Sequence, residues 1–111
     1  MTLQEKQLGQ LRPSNTTVTS IYSPAAGVTG IIKTVYVCNT TIGIVTFQIC
    51  VDDNGTTYDE STALFWDVTI AANTTLELDT FIPLSNSAGN IAVRSSLANA
   101  ITFTLFGAEV S

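Results

Sequence analysis

The chain predicts an all-β fold, a two-sheet antiparallel sandwich of about seven to eight short strands. Three observations carry that prediction. Thr and apolar residues alternate through most of the 111 residues, which is the two-residue period of strands with one buried face. Turn-forming clusters recur about every 8–14 residues, among them Pro24-Ala25-Ala26-Gly27 and Ser85-Asn86-Ser87-Ala88-Gly89. No segment carries a convincing helical apolar stripe. Alternation does not encode strand order, so a jelly roll and an immunoglobulin-like sandwich both fit.

Thr17–Ser23 reads as the first strand of the body, ended by the Pro24 turn. Gly30–Asn39 is the second; Ile31, Lys33, Val35 and Val37 would share one face and Ile32, Thr34, Tyr36 and Cys38 the other. Both faces are partly apolar, which places this strand centrally in a sheet. Ile44–Asp52 is the third, and its Val45, Phe47, Ile49 and Val51 form the clearest core face in the chain. Asn54-Gly55 supplies the positive φ of a tight turn, and Thr62–Ile70 and Thr74–Leu84 follow as strands. Pro83 closes the latter, because proline cannot donate to a ladder. Asn90–Ser95 and Ala100–Glu109 complete the set.

Residues 1–15 differ from the sandwich domain, 16–111. Leu3, Leu8 and Leu11 stand among Gln, Glu, Lys and Arg, and Pro13 ends the stretch. The expectation is an extended N-terminal arm, with Leu3, Leu8, Leu11 and Arg12 as candidates to dock on a neighbouring subunit.

Composition limits the chemistry. Histidine is absent and charged residues make up 12%, so most hydrolase constellations and zinc sites are excluded. No glycine-rich phosphate loop is present. Asp52, Asp53, Asp59 and Glu60 flank one loop, but neither the walls of a glycosidase cleft nor the spacing of an EF-hand accompanies them. The expectation is no catalytic residue, no metal, no cofactor and no enzymatic activity. The body carries Lys33 and Arg94 against eight acids, which argues against nucleic acid as a partner. No apolar run approaches the roughly 20 residues that span a bilayer, so no membrane partner is expected. The polar start lacks the basic and apolar regions of a signal peptide, so synthesis and use without secretion are expected.

Cys38 and Cys50 would lie on two strands of one hairpin turning at 40–43, offset by about five residues or roughly 17 Å, too far for a disulfide. Two free, buried thiols follow. In Phe65-Trp66, neighbouring strand residues point to opposite faces, so one of the two faces outward and Trp66 becomes an interface candidate. Scarce charge and few basic residues to guard edge strands point to a surface occupied by neighbours.

Leu8-Gly9-Gln10, Ile21 to Gly27 leading into Ile31 to Asn39, Trp66 to Thr74 and Phe103 to Glu109 together resemble small structural proteins of tailed-phage virions. The resemblance covers nearly the whole chain and rests on strand and turn residues, with no catalytic motif to carry over. It implies a capsid cement or decoration protein on the outside of a virion head. Its partners would be itself, as a homotrimer, and the major capsid protein or another virion protein. A neck, tail or fibre-base module, or a glycan- or Ca²⁺-binding adhesion module, is the alternative.

Overall fold

Alternation becomes eight strands in the computed structural model, which describes residues 2–111. They are β1 (Leu3–Leu11), β2 (Thr19–Tyr22), β3 (Thr29–Asn39), β4 (Val45–Asp52), β5 (Ala63–Ile70), β6 (Thr75–Leu84), β7 (Asn90–Ser95) and β8 (Ile101–Val110). From β2 onward the strand bounds lie within a residue or two of those expected, because alternation and turn residues are local signals.

The pairings are nested. β4 pairs with β5, β3 with β6, β2 with β7 and β1 with β8, all antiparallel. Two further pairings, β3 with β8 and β4 with β7, join these into sheets ordered β1-β8-β3-β6 and β2-β7-β4-β5. This is the strand order of an eight-stranded jelly roll. It excludes the immunoglobulin-like alternative and places β3 centrally, as its two apolar faces require.

The core lies between the sheets. Phe47 and Phe103 are fully buried and meet edge to face at 6.1 Å, with Ile32, Ile49, Ile70, Ile91, Ile101 and Leu105 around them. Of the expected face of β4, Val45, Phe47 and Ile49 are buried and Val51 is half-buried. Truncating a fully buried ring such as Phe47 costs about 3–5 kcal/mol by cavity formation.

Three expectations are corrected. Residues 3–11 are not an arm apart from the domain; they are strand β1, paired with β8 from Leu3↔Val110 to Leu11↔Phe103. Leu8 and Leu11 pack on the protein's own core, while Leu3 stays exposed. The two cysteines do not share a hairpin: Cys38 on β3 and Cys50 on β4 belong to opposite sheets, because β3 and β4 cross between the sheets instead of pairing. Both thiols are free, Cys50 buried and Cys38 only half-buried. On β3 the inward set is Ile32, Val35 and Val37, because a bulge at Lys33 switches the faces.

That bulge is one of a row. The β1–β8 register shifts at Leu8, the β3–β8 register at Lys33, and the β3–β6 register between Asp79 and Ile82. All three lie at the level of Leu105 to Gly107 on β8, so the first sheet is irregular along one line. Thr80 Oγ1 donates to the Ile32 carbonyl oxygen at 3.0 Å and satisfies an acceptor that the shifted ladder leaves open. Gly107 has no room for a side chain, since a Cβ there would collide with the Ile31 carbonyl oxygen.

Candidate interaction surfaces

The two lateral sides of the sandwich are built differently. On the β1/β2 side the edges touch: a Cβ on Gly9 would lie 2.7 Å from the Ile21 carbonyl oxygen, so only glycine lets β1 close over β2. Below this contact, Tyr22 Oη donates to Glu109 Oε2 at 2.8 Å, and Lys6 Nζ lies 2.6 Å from Glu109 Oε1. One carboxylate thereby ties β2, β8 and β1 together across both sheets. Lys6 first, then Tyr22, holds the Glu109 carboxyl below its usual range. Burial first, then Glu109, pushes the Tyr22 phenol up. Gln10 Nε2 donates to Thr104 Oγ1 at 3.1 Å, Arg12 donates to the Asn99 carbonyl oxygen at 2.6 Å, and Thr2 and Ser111 exchange backbone hydrogen bonds.

The β5/β6 side is open. Phe65 and Val68 on β5 and Leu76, Leu78 and Ile82 on β6 pack on the core but are only half-buried. No hydrogen bond or ion pair joins β5 to β6 among the described residues. Outside these strands stand Leu64, Trp66 and Phe81, the last 73% exposed. The expected division of Phe65-Trp66 holds: Phe65 packs toward Phe47 with ring centroids 6.4 Å apart, and Trp66 faces out. Asp67 takes a positive φ of 50° at an irregularity in β5 and accepts a hydrogen bond from Gln48 Nε2 at 2.8 Å.

Charge divides the same way. Asp52, Asp53, Asp59, Glu60, Asp67, Glu77 and Asp79 lie on β4, β5, β6 or the loop between β4 and β5, leaving only Glu5 and Glu109 elsewhere. All four basic residues reach toward the other half: Lys6 to Glu109, Lys33 to Glu5, Arg12 to the carbonyl of Asn99 and Arg94 to that of Thr16. Between these halves, the outer face of the first sheet has a depression of about 480 Å³ lined by Glu5, Lys6, Gln7, Lys33 and Phe106. Tyr36 meets Phe106 edge to face at 5.8 Å beside it.

One end of the sandwich presents apolar loops. The segments 12–18, 40–44, 71–74 and 96–100 meet there. Ile42 is 93% exposed, Ile44 73% and Leu97 53%. The loops beneath are fixed by Asn39, which is fully buried. Its Nδ2 donates to the carbonyls of Gly43, Ile70 and Ala71, and its Oδ1 accepts from the backbone N–H and the hydroxyl of Thr41. Sequence reasoning did not single out Asn39; an Asn at the end of an apolar strand just before a turn was the available signal.

The acidic loop spends its carboxylates on itself. Asp52 accepts from the backbone N–H groups of Thr57 and Asn54, Asp59 from the hydroxyl and N–H of Ser61, and both carboxyls are held below their usual range by these bonds. No group of three or more potential metal ligands occurs among the described residues. Burial pushes the Cys50 thiol up, which keeps it protonated and unreactive. No family model, curated protein or solved structure matches this chain. Of the sequence-derived candidates, then, Leu8, Leu11 and Arg12 belong to the closed side, Trp66 to the open side, and Leu3 to an exposed position at the start of β1.

Proposed function

We propose that this protein is a structural component of a tailed-phage virion, a capsid cement or decoration protein that associates with itself and seats on the coat lattice. The observation that carries the reading is the apolar loop end. Ile42 and Ile44 are held outward on a loop pinned by Asn39 and Leu97 on one tied to Ser95, and burying one such side chain is worth about 1.5–3 kcal/mol. Aliphatic side chains fixed in water on a small jelly roll supply binding to another protein surface without supplying chemistry. The strand-and-turn resemblance to small virion proteins supports the same reading and names the class of lattice.

The test is immunogold labelling of purified particles from the phage that encodes the chain. Label over the head is expected; label confined to the tail would move the protein to a neck or fibre-base position, and unlabelled particles would refute the reading. Ile42→Asp combined with Ile44→Asp should abolish re-binding to stripped heads while leaving the circular-dichroism melt unchanged.

A further inference from the structure

The outer face of the β1-β8-β3-β6 sheet carries two halves that fit each other. On β6, Thr75, Glu77, Asp79 and Phe81 all point outward, alternating with Leu76, Leu78 and Ile82. Phe81 is a large ring 73% exposed, with two carboxylates along the strand beside it. Neither Glu77 nor Asp79 has an ion-pair partner among the described residues. Across the same face lies the depression with Phe106 at its wall and Lys33 in its lining, the Lys33 amine half-exposed and only loosely paired with Glu5 at 3.9 Å, while the Lys6 amine is held by Glu109. Knob and depression sit at one level, because both fall on the row of bulges that runs from Leu8 through Lys33 to the Asp79–Ile82 irregularity.

We infer that a second copy of this chain covers this face, each copy seating Phe81 in the other's depression, with Glu77 and Asp79 against Lys33. A two-fold axis running along the strands over the sheet places β6 of one copy across the β1 half of the other while keeping the level unchanged. Every contact is then made twice, as an isologous interface requires. An aromatic anchor in a pocket, ringed by complementary charge, is the arrangement that concentrates binding energy at interfaces. The inference rests on the reading of the chain as an assembling component and names the contact and its symmetry. The homotrimer implied by the family resemblance would require a head-to-tail contact, which leaves one knob and one depression of each pair facing different neighbours.

Sedimentation velocity on the full chain, at about 1–100 µM in low salt, tests the contact. A monomer–dimer equilibrium is expected. Phe81→Ala and Asp79→Lys should each weaken it about tenfold or more, with unchanged circular dichroism. Lys33→Glu alone should weaken it as well, and Lys33→Glu with Asp79→Lys should restore it to within about threefold, since the swap returns opposite charges to each other. A monomer throughout, a trimer or larger ring, or a dimer indifferent to Phe81→Ala would overturn the inference. Labelled particles together with a monomeric protein would discard this contact and keep the virion reading. Unlabelled particles together with a Phe81-dependent dimer would do the reverse.

Discussion

The β1/β2 side and the β5/β6 side start from the same problem, two sheet edges facing each other across a core, and solve it in opposite ways. On the first side glycine at position 9 lets the edges touch, and a half-buried carboxylate, Glu109, is shared by a phenol from one sheet and an amine from the other. On the second, no polar group bridges the strands; the half-buried Phe65, Val68, Leu76, Leu78 and Ile82 are left at the mouth of the core with acids outside them. The first side is finished within the chain. The second keeps apolar area and charge in reserve. The difference teaches where to look for a contact surface in this fold: at the edge whose interactions are incomplete.

The most severe challenge to this contrast is removal of β1. Deleting residues 2–11 uncovers Leu105 and Phe103 and takes away Lys6, the ion-pair partner of Glu109. Cooperative unfolding should be lost, measured by urea titration; a truncated protein that melts like the full chain would show that the closed side contributes nothing. Gly107→Ala follows in size. Its Cβ meets backbone, which cannot rotate away, so a loss of about 3 kcal/mol in unfolding free energy is expected from the urea midpoint and slope.

Tyr22→Phe is smaller, about 1–2 kcal/mol, because it removes one hydrogen bond to a charged acceptor that Lys6 still holds. It also has a pH signature. Glu109 has a lowered folded value, so its stabilisation is complete above the ordinary glutamate pKa of about 4.3 and is lost as pH falls through that lowered value. Tyr22 has a raised folded value, so its contribution is complete below the ordinary phenol pKa of about 10 and is lost as pH rises through the raised value. Thermal melts against pH should therefore lose stability at both limbs, and Tyr22→Phe should flatten the alkaline limb. Last comes the open side: Phe81→Ala should change the stability of the dilute, monomeric protein by less than about 0.5 kcal/mol, since the ring is exposed. A larger loss in dilute solution would mean that Phe81 serves its own fold.

Strand positions were legible in the amino-acid sequence because alternation and turn residues act over a few neighbours. Strand partners were not. Which strand meets which is decided by the nested winding, so Cys38 and Cys50, adjacent-looking across a short turn, ended in different sheets. The first strand was missed for a more particular reason. Leu3, Leu8 and Leu11 are separated by odd numbers of residues, which a regular strand cannot place on one face. The bulge at Leu8 inserts the extra residue that lets Leu8 and Leu11 both pack on the core. The same device at Lys33 reassigned the faces of β3. Trp66 was legible because two adjacent aromatics on a strand cannot both be inside. Phe81 and Ile42 were not, because an outward position on an edge or a loop is a property of the whole fold.

The nested pairing also carries a consequence in time. The β4–β5 pair joins segments neighbouring in the chain, whereas Leu3↔Val110 joins its two extremes. Loop closure grows costlier with length, and long-range pairings slow folding, so the winding should proceed outward from β4–β5 with β1 arriving last. Val68→Ala should then slow refolding, while Leu8→Ala should leave refolding unchanged and speed unfolding, a pair of rates readable by stopped-flow fluorescence of Trp66. The side tied most firmly at equilibrium would be the one fastened at the end, and its departure would set the lifetime of the folded state.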